Sequence, residues 1–212
     1  MICVLTKAGE PIEVAHIYPF CLRSELTPAN RSEPSFWSIL RHFWSKERVD
    51  AWYNAILSKG TEACHNLMCL APSAHKYWEK AHFALKPIRL SDDNKRLDVQ
   101  FFWLVKGNHT PVVSILQHPS LSVDLRRGPN RTVLVNADTL RVICSGDEIS
   151  LETSNAEQYP LPDVRLLEMQ WFLHRVAAMS GAAEPRDDFG DDSDDDFSMA
   201  PVKKTGNMID SD

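Results

Sequence analysis

The sequence predicts an α+β fold, because helix-like and strand-like patterns occupy different parts of the chain. Apolar residues recur at helical spacing within residues 21–63, whereas short β-type runs separated by turn residues fill most of residues 88–183. The 212 residues are 43% hydrophobic and include 6 Trp and 9 Phe, which is typical of a packed globule. We therefore expect one or two small domains with a hydrophobic core.

The first twenty residues predict a β-hairpin. A strand from Cys3 to Leu5 is followed by the turn "KAGEP" and by a second strand, "IEVAHI", which Pro19 stops. Because Cys3 already belongs to the first of these strands, the chain begins abruptly, which is compatible with a missing upstream segment.

Residues 21–63 predict an insertion made mostly of helix. Gly60 stands where its second helix would end. Two apolar stripes repeat at i, i+3, i+4 and i+7, namely Phe36, Ile39, Leu40 and Phe43, then Val49, Trp52, Tyr53 and Ile56. Helical spacing orders these side chains, so we expect them to pack in the core rather than to stack on nucleic-acid bases.

The remaining elements alternate in type. "NLMCL" predicts a short strand or tight loop, and "SAHKYWEKAHFAL" predicts a helix of about three turns closed by "KP". Five β-type runs follow: "RLDVQFFWLV", "PVVSIL", "RTVLV", "LRVICSG" and "EISLET". A last helix is expected after "YPLPD", with Asp163 as N-cap and Gly181 at its end. Its predicted apolar face is Leu166, Met169, Leu173, Val176 and Ala177.

Charge is concentrated at the end of the chain. From residue 184 onward there are ten acidic and three basic residues, so the net charge of this tail is −7. Since the net charge of the whole chain is −6, residues 1–183 have a net charge of +1. The Asp-rich, apolar-poor tail predicts disorder. We divide the chain into residues 1–87, residues 88–183 packed on them, and an acidic disordered tail at 184–212.

Cysteine usage and hydropathy indicate an intracellular protein. The five cysteines are odd in number and scattered, which does not fit a disulfide framework. No apolar run approaches the ~18 residues of a membrane span, and the first residues lack the pattern of a secretory signal.

The segments that carry the histidines resemble the HNH nuclease family. The matching residues are His16 in "AHIYP", Asn66 in "NLMCL" and His75 in "HKYWE", in the order H…N…H that names the family. The later "SGDEISLET" and "PLPDVRLLEMQWFLHRVAAMSGAAE" resemble the C-terminal half of a divergent HNH group common among fungal predicted proteins. The resemblance implies a ββα-metal unit, a hairpin and a helix around one divalent cation. Here that core carries the helical insertion and is followed by the β-rich region and the C-terminal helix.

The chemistry of phosphodiester hydrolysis suits these residue types. A histidine held at a strand end can act as general base near neutral pH, which makes His16 the candidate base. Asn66 can bond the backbone across a loop and fix the turn that carries His16, while the second ring nitrogen of His16 is expected to meet a backbone carbonyl. His75 and Glu79 are spaced i, i+4, so both project from one helix face as candidate ligands for Mg²⁺ foremost, or Mn²⁺ or Zn²⁺.

One position departs from the family pattern. Many HNH enzymes carry a metal-ligating Asp or His immediately before the catalytic histidine, and here that position is Ala15. His75 and Glu79 then remain as protein ligands. Mg²⁺ tolerates that number because it keeps several waters, whereas zinc prefers at least three protein ligands.

Other polar residues have weaker cases. His82 lies seven residues after His75, close to the same helix face, and is either a substitute ligand or simply a packed or exposed helix residue. His65 is expected to be a loop residue. Phosphate-contact candidates are Lys76, Lys80 and Lys86, and Arg126, Arg127 and Arg131 in "DLRRGPNRT"; a solvated helix face and an interstrand turn explain them equally.

Two functions therefore remain open. The first is a metal-dependent HNH endonuclease, a hydrolase that cuts nucleic acid, DNA ahead of RNA, with no membrane partner. The alternative is a degenerate HNH domain that keeps the fold and serves as a binding or interaction module. Ala15, the near-neutral charge of residues 1–183 and the acidic tail favour the alternative. The set of His16, Asn66, His75 and Glu79 favours the enzyme.

Overall fold

The computed structural model describes residues 1–26, 34–105 and 121–180. It consists of helices and two antiparallel sheets, so the α+β prediction is confirmed. In chain order the elements are β1 (Glu13–His16), α1 (Phe36–Leu40), α2 (Lys46–Leu57), β2 (Leu67–Leu70), α3 (Pro72–Glu79), β3 (Phe83–Leu90), β4 (Arg96–Trp103), β5 (Glu148–Glu152) and α4 (Val164–Ser180).

The first sheet pairs β1 with β2 across the helical insertion, with His16 opposite Leu67. The hairpin predicted within the first twenty residues is wrong. The Lys7 N–H donates to the Cys3 carbonyl at 3.0 Å, so the chain turns back on itself before a first strand can extend. Because α3 directly follows β2, the ββα order is kept, but its two strands come from opposite ends of the insertion.

Helix α3 ends after 8 residues, at Glu79, whereas the sequence predicted about three turns. Ala81 takes a left-handed conformation with φ +47°, and the N–H groups of Ala81 and His82 donate to the carbonyls of Trp78 and Tyr77. This pattern of bonds is a Schellman ending. The expected helical placement of His82 is therefore wrong, and strand β3 begins at Phe83.

The second sheet has the order β3-β4-β5 and contains two of the predicted β-type runs, as β4 and β5. The runs "RTVLV" and "LRVICSG" meet at a single bridge between Val135 and Val142, and "PVVSIL" lies outside the described residues. Strand β3 crosses residue 87, where the sequence analysis places a domain boundary. That division stays a prediction.

Helix α4 packs against β3 and α2. The Asp163 side chain accepts the Arg165 N–H at 2.9 Å and so caps its N-terminus. Leu166 and Met169 are buried as predicted, whereas Val176 is 52% exposed. Gly181 and the acidic tail fall outside the described residues.

One buried cluster unites both halves of the chain, since it contains Ala15 and Trp52 together with Phe83 and residues of α4. Most of the aromatic stripe of the insertion belongs to this core, although Phe43 is 74% exposed. None of the helices among the described residues is long and apolar enough to cross a membrane.

Candidate active site

Hydrogen bonds from two different elements hold the backbone around His16. The Ile17 N–H donates to the Asn66 carbonyl at 2.8 Å, directly after His16. The Trp78 indole N–H, from α3, donates to the His16 carbonyl at 2.9 Å. His16 therefore stands at a strand end whose position both β2 and α3 determine.

The imidazole of His16 meets a carboxylate. Its Nε2 lies 3.0 Å from Glu62 Oε1, and the His16 side chain is 25% exposed. The predicted partner was a backbone carbonyl, so the structure corrects that expectation. The hydrogen bond to His16 is the largest influence on the pKa of Glu62 and lowers it, which keeps this carboxylate ionised. With the proton on Nε2, the lone pair of the neutral ring is on Nδ1.

Asn66 connects the segments that carry these two side chains. It is fully buried. Its Oδ1 accepts the Tyr18 N–H at 2.7 Å, and its Nδ2 donates to the carbonyls of Tyr18 at 3.3 Å and Thr61 at 2.9 Å. Tyr18 follows His16 by two residues and Thr61 precedes Glu62, so one amide sets the relative position of base and carboxylate.

The second group of predicted residues lies around α3. His75 Nε2 is 3.2 Å from Glu79 Oε1, as the i, i+4 spacing predicts. His75 Nδ1 is 2.6 Å from Glu13 Oε2. Glu13 precedes Ala15 by two residues in β1, so both side chains point to the same face of the strand. The Glu13 carboxylate thus reaches His75 of α3 from strand β1. It lies two residues before Ala15, the position where many HNH enzymes carry a metal ligand.

The donor atoms decide whether these residues fit a divalent cation. If Glu13 accepts a hydrogen bond from Nδ1–H of His75, the lone pair of His75 Nε2 faces Glu79 Oε1 at 3.2 Å. Two hydrogen-bond acceptors this close need a cation or a proton between them. The separation is that of two neighbouring ligands of one cation. Among the described residues, no group of three or more His, Cys, Asp or Glu is arranged to hold a metal. The pair fits a cation that keeps several waters, such as Mg²⁺, and does not fit a zinc site with three protein ligands.

The predicted site residues therefore fall into two groups, His16 with Asn66 and His75 with Glu79. In the part of the chain that the structure describes, no hydrogen bond or ion pair joins the side chains of His16 and His75. The groups are linked through β1 and through Trp78, which lies on α3 and bonds the His16 carbonyl.

Sequence reasoning missed Glu62 and Glu13. Glu62 is 46 residues from His16, and Glu13 is 62 residues from His75. No periodicity relates residues so far apart, so a signal was lacking for Glu62. For Glu13 the strand alternation with Ala15 was available.

The remaining candidates lie elsewhere. His82 is buried and stacks on Tyr77 with ring centroids 5.7 Å apart. His65, expected in a loop, lies in a short 3₁₀ turn; it is 2% exposed, and burial lowers its pKa. The basic candidates are exposed: Lys76, Lys80, Lys86, Arg126, Arg127 and Arg131. Lys76 pairs with Glu79 at 2.9 Å, next to the candidate cation ligands.

A comparison with known protein families matches the segment that carries the candidate site. Residues 3–86 match the family model described as HNH endonuclease. No curated protein and no solved structure matches the chain. The matched segment contains β1, β2 and α3 with all four predicted site residues, and nucleases of this family generally use a divalent metal. Over residues 3–86 the chain is thus similar to HNH endonucleases.

Proposed function

We propose that the protein is a metal-dependent endonuclease that hydrolyses phosphodiester bonds of nucleic acid, with His16 as general base. The observation that carries this proposal is the His16–Glu62 pair, partly exposed and positioned by the buried Asn66. A histidine that is held by a carboxylate and keeps a free lone pair is the arrangement of a general base.

In the proposed reaction, Nδ1 of His16 removes a proton from a water molecule, the oxygen of that water attacks the phosphorus, and the bond from phosphorus to the 3′ oxygen breaks. The leaving 3′ oxygen takes a proton from solvent water. Throughout the reaction Glu62 accepts a hydrogen bond from Nε2–H, and its charge stabilises the imidazolium that forms. His75 and Glu79 would hold one divalent cation, Mg²⁺ foremost, which supplies charge stabilisation to the phosphate and to the leaving oxygen. Asn66 transfers no proton and contributes geometry.

DNA is the proposed first substrate, with RNA second, and an intracellular site of action is part of the proposal. All five cysteines are free, which supports a reducing compartment. We also propose residues 1–87 and 88–183 as two units packed through the shared core.

One observation favours a non-catalytic HNH module as a second candidate. Ala15 occupies the position of a family metal ligand and is fully buried in the core. A domain without that ligand could keep the fold and bind nucleic acid or a protein without cutting.

The test is nicking of supercoiled plasmid by the full chain in Mg²⁺, Mn²⁺ or Zn²⁺. We expect nicking that EDTA abolishes and that His16→Ala lowers by roughly 10²–10⁴-fold, the usual contribution of a general base. His42→Ala is the matched control, because His42 is exposed and lies between α1 and α2. Nicking that persists in the His16 variant would reject His16 as base. A folded protein that cuts neither DNA nor RNA in any of the three metals would establish the non-catalytic candidate.

A further inference from the structure

An exposed aromatic ring lies beside the proposed base. Phe20 begins the 3₁₀ turn Phe20–Leu26 and is 52% exposed. Its ring centroid is 5.7 Å from that of His16, with the two planes tilted by 48°. His16 thus lies beside the Phe20 ring, while about half of the Phe20 surface faces solvent.

A cation covers another part of the same ring. The guanidinium carbon of Arg23 lies 5.7 Å from the Phe20 centroid. Arg23 follows Phe20 by one turn, so the spacing of the 3₁₀ turn holds the pair together. The arrangement places a fixed positive charge near His16 without an ion pair to a described residue.

A groove of about 620 Å³ lies beside Arg23. Arg23 and Lys59 line it together with Glu62, the partner of His16, and the loop of residues 60–63 forms its other wall. Glu62 connects the groove to the proposed base, since its Oε1 lies 3.0 Å from His16 Nε2. The lining carries two cations, Arg23 and Lys59, against this one carboxylate.

We propose that this groove, together with the neighbouring Phe20, binds an unpaired segment of nucleic acid, with one base stacked on Phe20 and the adjoining phosphates on Arg23 and Lys59. The inference rests on the proposed function, since it assigns the substrate form of the same site. Stacking on an aromatic ring and phosphate contacts to Lys and Arg are the two interactions by which proteins hold single strands without reading their sequence.

The stacking requirement separates single strands from duplexes. In a duplex both faces of a base are covered by neighbouring base pairs, so stacking on a ring requires unstacking there and costs least where the strand is unpaired. Binding through Phe20 would bring such a nucleotide to His16. The expected substrates are single strands, overhangs or locally melted sites.

The experiment measures binding of short fluorescent oligonucleotides to the full chain in EDTA, where no metal-dependent cutting occurs. The probes are single-stranded DNA, single-stranded RNA of the same sequence, and the DNA duplex. We expect single strands to bind more tightly than the duplex and Phe20→Ala to weaken them about tenfold, as for loss of one stacked base. Phe20→Trp should restore binding. Arg23→Gln and Lys59→Gln should each weaken binding and reduce the salt slope by about 0.7.

Two matched controls are available on the described surface. Phe43→Ala removes another exposed aromatic ring, and Lys95→Gln removes another exposed cation. Both should leave binding within about twofold of the wild type. Equal effects of Phe20→Ala and Phe43→Ala, or tighter binding of the duplex, would overturn the inference.

Nicking assays on the same variants separate this inference from the proposed function. His16-dependent nicking combined with unchanged single-strand binding in Phe20→Ala and Arg23→Gln would reject the groove and keep the nuclease. Loss of binding in those variants, in a chain that cuts nothing, would support the groove and reject the nuclease.

Discussion

Glu62 is the residue on which the proposed chemistry of His16 most depends. It contacts Nε2 at 3.0 Å and transfers no proton, so it is a positioning residue. Its carboxylate also lines the groove where phosphates are proposed to lie, which gives it opposite effects on catalysis and on binding.

Glu62→Gln should lower kcat for plasmid nicking by roughly tenfold or more, because the amide no longer compensates the imidazolium charge. The same change should leave Kd for single strands unchanged or tighten it, since a charge that repels phosphate is lost. Steady-state nicking and the binding assay in EDTA measure the two effects. A variant in which both kcat and binding fall together would contradict this role.

Glu13 should act on the cation through His75. Glu13 Oε2 lies 2.6 Å from His75 Nδ1. When it accepts a hydrogen bond from Nδ1–H, the Nε2 lone pair faces Glu79. Glu13→Gln should weaken Mn²⁺ binding by roughly 10–100-fold, the usual effect of removing such a partner, as followed by electron paramagnetic resonance. Glu10→Gln, an exposed neighbour, is the control. Nitrogen chemical shifts of His75 should show the altered tautomer, and unchanged shifts with unchanged affinity would contradict this role.

At the scale of elements, the turn before β2 organises the site. Asn66 lies in the 3₁₀ turn Cys64–Asn66, and its amide supplies three hydrogen bonds to Tyr18 and Thr61. Strand β1 ends at His16, so β-pairing does not hold the residues that follow. The Asn66 side chain holds them instead through its hydrogen bonds to Tyr18.

Asn66→Ala should lower the free energy of unfolding by about 3 kcal/mol, because buried backbone groups of Tyr18 and Thr61 lose their partners. Urea unfolding measures this loss. Asn54→Ala, at an exposed position of α2, should change stability by less than about 0.5 kcal/mol. Equal stability of the two variants would show that the hydrogen bonds of Asn66 do not stabilise the turn.

For the whole molecule, His174 links α4 to the sheet and to the site. Its Nδ1 donates to the Phe83 carbonyl at 2.9 Å, and the ring centroids of His174 and Trp78 are 4.3 Å apart. Trp78 in turn bonds the His16 carbonyl, so one chain of contacts joins the last helix to the proposed base. Burial lowers the pKa of His174 to about 4.

The lowered pKa predicts acid destabilisation. The unfolded chain binds a proton at His174 near pH 6.5 and the folded chain only near pH 4, so stability is full above 6.5 and falls as the pH drops through this window. The loss should approach about 3 kcal/mol at pH 4. Urea unfolding at several pH values should show a flatter profile for His174→Gln than for the exposed control His42→Gln. Parallel profiles would contradict the assignment.

The α+β class and the major helices follow from local information in the sequence, namely the period of apolar residues and the turn residues. The set His16, Asn66, His75 and Glu79 follows from the resemblance to the HNH family, to which the i, i+4 spacing of His75 and Glu79 adds. The sequence misjudges the end of α3, because Ala81 adopts a left-handed conformation that usually marks glycine.

Only the tertiary structure decided which side chains meet. The pairing of β1 with β2 across the insertion, the carboxylate of Glu62 on His16 and that of Glu13 on His75 join residues 46 to 62 positions apart. The physical reason is that strand pairing and core packing, not local spacing, bring such segments together. The same packing places Phe20 beside His16 and Arg23 in the lining of the groove.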